Sequence, residues 1–229
     1  MANLKQDPNF SFMLVGMLIT LVLGPVLLEL GVYNKGVTIQ AALTITLIVG
    51  VWSIVDSRAW FWTGVTLAVV SAGASIAEFL WPSFLVVSVG LVTIALFCFF
   101  SIAFTFNQIA RSGSMQITTN RLVGACSVYL LIGLGFGVLN MLIEVFLPGS
   151  YKGLDPDNSG SVGIDLIYFS FVTMTTLGYG DIVPIRPLAQ AAAYMGAVAG
   201  QFYIAVLVAG LVGGYVSQKI MENDQDDAH

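Results

Sequence analysis

Apolar residues fall in six long blocks, Phe10 to Leu30, Val37 to Val55, Trp60 to Leu80, Phe84 to Phe106, Leu122 to Leu147 and Leu188 to Gln218, almost free of internal charge. A helix needs about 20 such residues to cross roughly 30 Å of hydrocarbon at about 1.5 Å per residue. The pattern predicts an all-α membrane protein with six transmembrane helices. Between the fifth and sixth blocks the chain behaves differently. A turn-rich run, Pro148 to Gly163, precedes a second apolar stretch, Ile164 to Thr175. About 12 residues cannot span. They predict a re-entrant helix, which is tolerated at membrane depth only where protein or water covers its ends.

The first block follows Lys5 and Asp7, exceeds the apolar core of a signal peptide and lacks a small-x-small site near its end, so it reads as a retained crossing. Orientation follows from Lys and Arg, which are in excess on cytoplasmic loops. Six crossings put both termini on one side, together with Lys5, Arg58, Arg111, Arg121 and Lys219, against Lys35, Lys152 and Arg186 opposite. This balance predicts cytoplasmic termini, a multi-pass protein of the cell membrane, and a short helix entering from outside. The blocks group into residues 1–110 with four crossings, a polar linker 111–121, a helix–loop–helix unit 122–221 and an acidic tail 222–229. Thr119 or Asn120 is the expected N-cap of the fifth helix, and Asp165 is expected just ahead of the short one. No internal repeat is visible.

Composition agrees with the pattern. Of 229 residues 57% are hydrophobic and 9% charged, where soluble domains carry about 25% charged residues. The net charge of −5 comes largely from Glu222, Asp224, Asp226 and Asp227, which predict a solvated end and give no reason to expect nucleic acid as a partner. Cys98 and Cys126 lie inside apolar blocks and predict no disulfide. His229 is the single histidine, and no Ser/His/Asp, zinc-spacing or phosphate-loop pattern appears, so soluble enzyme chemistry has no foothold.

Candidate chemistry is concentrated in Asp165 to Asp181, DLIYFSFVTMTTLGYGD, which runs on into Ile182, Val183 and Pro184. In a chain of this length the pattern T-x-G-Y-G-D has a chance probability on the order of 10⁻⁴ at average residue frequencies. Thr176, Leu177, Gly178, Tyr179 and Gly180 resemble the TVGYG filter of potassium channels, whose carbonyl oxygens replace the water shell of the ion. From about Leu122 to Lys219 the chain resembles the pore module of the potassium channel superfamily. Six crossings with one pore loop resemble its voltage-gated-like branch.

That resemblance implies a homotetramer selective for K⁺, with K⁺ and membrane lipid as partners and no further cofactor. It implies ion coordination by the hydroxyl and carbonyl of Thr176 and the carbonyls of Leu177, Gly178 and Tyr179, with Gly180 completing the filter. Gly178 and Gly180 admit the positive φ that turns successive carbonyls to one side. The side chains of Leu177 and Tyr179 are expected to point away from the ions, and Leu177, where Val is more usual, to change packing behind the filter. Thr175 and Asp181 flank the filter, Tyr168 and Phe169 stand where the family has a bracing aromatic pair, and the short helix aims its negative end at the ion path. Gly200, about 20 residues after the filter, is either a gating hinge or a small residue for close packing. Glu144 is either a brace that accepts backbone hydrogen bonds at the outer mouth or a carboxylate at the membrane interface.

Two other motifs point elsewhere. Asp155, Asp157, Ser159 and Gly160 imitate the start of a calcium-binding loop, but its twelfth position is Leu166, which supplies no carboxylate. Gly178 to Asp181 also spells GxGD, a signature of intramembrane aspartyl proteases, which need a second aspartate within a neighbouring helix; Asp56 and Asp165 do not meet that need. The chain is therefore read as no enzyme. The fourth block, Phe84 to Phe106, is uncharged, with Arg111 expected beyond it in the linker, so little voltage dependence is expected.

Overall fold

The computed structural model describes residues 10–30, 43–45, 48, 58–81, 83–111, 119–154 and 161–226. Six helices carry almost all of them: α1 Phe10–Glu29, α2 Arg58–Leu80, α3 Phe84–Arg111, α4 Thr119–Phe146, α5 Val162–Met174 and α6 Pro187–Asp226. Two-residue strands β1, Tyr151–Lys152, and β2, Val183–Pro184, pair antiparallel, Tyr151 opposite Pro184 and Lys152 opposite Val183.

Among the described residues, four helices have apolar stretches long enough to cross a membrane: Phe61–Leu80, Phe84–Thr105, Leu122–Phe146 and Pro187–Leu207. The apolar part of α1, Ser11–Leu27, is shorter. Most of the second block lies outside the described residues, but Thr44 within it is buried against α2, its hydroxyl 2.7 Å from that of Ser71 and 3.1 Å from that of Ser75.

α4 is the axis of the bundle, packing against α1, α3, α5 and α6, while α2 packs on α3. Met17, Leu134, Val138 and Leu166 belong to a closed core around it, and Met174 is fully buried as well. Small residues admit α5 to this core. A Cβ on Gly133 would stand 2.5 Å from the Phe171 ring, and one on Gly137 would stand 3.1 Å from the Ile167 backbone. In hydrocarbon, close approach of this kind is one of the forces that associate helices, beside hydrogen bonds and lipid entropy. The Ser170 hydroxyl, buried in the same seam, donates to the Gly133 carbonyl at 2.8 Å. Away from the seam, Val22, Val69, Phe79, Phe99 and Phe202 face outward, as apolar solvent allows.

Several boundaries differ from those predicted. Arg111 closes α3 and does not lie in a linker, and Thr119 and Asn120 lie within the first turn of α4. α5 begins at Val162, so Asp165 sits in its first turn, where a carboxylate is favourable toward the helix dipole. α6 runs through the acidic tail as far as Asp226, because nothing after Gly214 breaks it and Gln218, Lys219, Met221 and Glu222 are good helix formers. The calcium-like run 155–160 lies outside the described residues, and Leu166, at its twelfth position, is fully buried in α5.

Candidate ion-conduction site

At 13 residues α5 is about 20 Å long, too short to cross a membrane, and it delivers the chain to the loop 175–181. The last carbonyls of α5 stay occupied. Thr175 N–H and its hydroxyl both donate to Phe171 O, at 2.9 and 2.7 Å, and Thr176 N–H donates to Thr173 O at 3.1 Å. Leu177 and Gly178 N–H share Val172 O at 3.0 and 3.2 Å. These bonds fold the loop back against the helix end.

From there the backbone alternates in hand. Thr176, Gly178 and Gly180 have φ of 62°, 55° and 77°, whereas Leu177 and Tyr179 between them do not have positive φ. In an ordinary strand successive carbonyls point to opposite sides, and reversing φ at every second residue permits them to face one way. Within the single chain a Cβ added at Gly178 or Gly180 would meet nothing within 4 Å, so the demand for glycine visible there is the one made by φ. Thr176 carries a β-branched side chain in the left-handed region, a strain of about 1–3 kcal/mol. Sequence reading assigned positive φ to the two glycines alone. Residues 175 to 181 are all exposed in the single chain, including the side chains of Leu177 and Tyr179.

The far end of the loop is anchored at Asp181. Its Oδ2 accepts from the Tyr168 hydroxyl at 2.7 Å and its Oδ1 from Ile182 N–H at 3.0 Å. The Tyr168 bond is the main reason its carboxyl is held below the usual range. Its partners are a phenol and a backbone amide, not the second carboxylate that a protease pair requires. Beyond it, β2 pairs with β1, Ile185 N–H donates to Ser150 O at 2.8 Å, and Arg186 reaches Pro148 O at 3.2 Å. Gly153, at φ 97°, lies directly beneath the Asp181 carbonyl, leaving no room for a Cβ. Glu144 fastens the near side of this ribbon, its two oxygens accepting from Gly149 N–H at 2.7 Å and Ser150 N–H at 2.9 Å.

The two aromatics expected to work as a pair are separated. Tyr168 reaches Asp181, but Phe169 is buried away from it, its ring 5.5 Å from that of Tyr151. The Tyr151 hydroxyl donates to Asn140 Oδ1 on α4 at 2.8 Å, and burial first, then the Glu144 carboxylate, pushes its phenol upward in pKa. On α6, a Cβ at Gly200 would collide with the Met174 side chain and stand 2.8 Å from its carbonyl oxygen, which makes Gly200 a close-packing position within an unbroken helix. Next to it, Gln201 Nε2 donates to Met174 O at 3.1 Å, and Tyr203 donates to Ala125 O at 2.7 Å. Sequence reading passed over Asn140, Gln201 and Tyr203. The two amides carried a usable signal, since a polar side chain inside an apolar block needs a partner.

Residues 128–215 match the family model described as an ion channel, a span that takes in most of α4, all of α5, the loop and most of α6. The chain carries an ion-channel domain. This domain relates it to the potassium channel superfamily, which is not an enzyme family. No curated protein and no solved structure matches the chain.

Proposed function

We propose that this chain is one subunit of a homotetrameric, potassium-selective channel whose ions pass along Thr176 to Gly180. The observation that carries the reading is the alternating hand at Thr176, Gly178 and Gly180. Such a strand offers closely spaced oxygens toward one axis, as a dehydrated cation requires. One chain supplies one wall, and the exposure of 175–181 in the single chain fits a wall completed by three further copies. The K⁺ ligands are the hydroxyl and carbonyl of Thr176 and the carbonyls of Leu177, Gly178 and Tyr179. α5 is then the re-entrant pore helix of a six-crossing subunit with both termini in the cytoplasm of a cell bounded by this membrane. Thr175 and Asp181 fix the ends of the filter, Tyr168 holds Asp181, and Glu144 holds the ribbon behind the outer mouth.

The test is rubidium uptake into liposomes that contain the purified chain and a potassium gradient. Uptake driven by potassium and not by an equal sodium gradient is expected; equal support from sodium would overturn selectivity. The mass of the conducting particle in nanodiscs should be four subunits, and a conducting monomer or dimer would overturn the assembly.

A further inference from the structure

Between α1, α4 and α5 lies a cavity of about 280 Å³, walled by Leu21 and Pro25 of α1, Leu134 of α4, and Ile167, Tyr168 and Phe171 of α5. Its surface is almost wholly apolar, and Thr20 beside it commits its hydroxyl to Gly16 O at 3.0 Å. The walls belong to the apolar run Ser11–Leu27 and the span Leu122–Phe146, so molecules reach the cavity from hydrocarbon. Pro25, inside α1, has no N–H and so supplies no helical donor to the carbonyl of Leu21, four residues back, with which it shares the cavity wall. In hydrocarbon a carbonyl without a donor is costly, and it favours any molecule that brings one. Tyr168 ties the cavity to the loop, because its ring forms part of the wall while its hydroxyl is spent on Asp181.

We propose that this cavity is a binding site for a small alcohol dissolved in the bilayer, with an apolar body in the cavity and one hydroxyl donating to the Leu21 carbonyl. Size sets the body. An apolar cavity of about 150 Å³ takes up benzene, so this one holds a chain of about eight to ten carbons. A bound alcohol packs against the Tyr168 ring and so acts on the anchor at Asp181; that consequence for ion flow rests on the channel reading, whereas binding does not.

Binding is read directly, without ion flow, by photolabelling the full chain in nanodiscs with an octanol that carries a diazirine and mapping the labelled peptides. Label is expected on α1 and α5 at the cavity, displaced by decanol at least tenfold more effectively than by decane. Leu134→Trp, which fills the cavity, should reduce that label at least tenfold and spare label elsewhere. Leu21→Phe, on a half-buried wall, serves the same purpose should the first variant not fold. Pro25→Ala restores an N–H to the Leu21 carbonyl and should erase decanol's advantage over decane. Label unchanged by the filling variants, or equal displacement by decanol and decane in the wild type, would overturn the proposal. Rubidium flux with and without decanol then tests the link to Tyr168. A flux that decanol alters in the wild type and leaves unaltered in Leu21→Phe supports the link, and binding without any change in flux refutes the link alone.

Discussion

Thr176, Gly178 and Gly180 share a sign of φ, but each reaches it at a different cost. For glycine the left-handed region is open, whereas a residue with a Cβ gives up about 1–2 kcal/mol there. Gly178→Ala or Gly180→Ala should therefore lower rubidium flux at least tenfold while leaving the fold of the subunit intact, since within the chain no neighbour within 4 Å opposes the new methyl group. Thr176 lies there because Thr173 O and Val172 O take the amides of 176, 177 and 178, a constraint that exists only once α5 is formed. The two glycines were legible as a motif; the strain on Thr176 was not, because no local propensity produces it. Asp181 supports a prediction about acid. Its folded carboxyl titrates below the ordinary value of about 3.9, so the Tyr168 bond is fully in place above that value and is lost as pH falls through the lowered one. Flux measured against pH should show no contribution from this pair between about 5 and 8. Tyr168→Phe should move the acid limb upward, toward the ordinary carboxylate range.

Helix contacts follow the same logic on a larger scale. α5 rests on α4 through Gly133 and Gly137, and at Gly137 a methyl group would meet Ile167 Cγ1 at 3.0 Å and also its Cα at 3.1 Å, the second of which cannot rotate away. Gly137→Ala should then cost about 1–3 kcal/mol of overpacking and lower the melting temperature in detergent. Glu144 is the other junction. Glu144→Ala strips the amides of Gly149 and Ser150 of a charged acceptor, a loss of about 1.5–3 kcal/mol per bond, and faster hydrogen exchange at those two amides is the expected readout. α3 and α4 were legible because apolar length alone predicts a crossing, and their cores match the fourth and fifth blocks. Their ends were less so. Arg111 and most of the residues beyond Gln218 are polar, and hydropathy does not distinguish a helix that leaves the membrane from one that stops. The separation of Tyr168 from Phe169 was hidden for another reason: which face of α5 meets α4 depends on a seam of glycines far away in the sequence.

At the scale of the whole molecule, α3 bears on gating. Each elementary charge moved across the membrane contributes about 2.3 kcal/mol per 100 mV, and steep opening takes three or four per subunit. Between Phe84 and Phe106 there is none, and Arg111 terminates the helix. Conductance in symmetrical potassium should accordingly vary only weakly with voltage; a steep curve with several gating charges per subunit would contradict this. The contact between Gly153 and the Asp181 carbonyl bears on what can be transplanted. TMTTLGYGD looks portable, a cassette to be spliced into another scaffold, yet its final carbonyl occupies the room left by a missing side chain 28 positions upstream, as the numbering 181 − 153 shows. A donor segment grafted without a glycine at that upstream position would arrive with its last residue displaced. The heritable unit is thus discontinuous, and a chimaera that carries both Gly153 and the nine-residue segment should conduct where one that carries the segment alone does not.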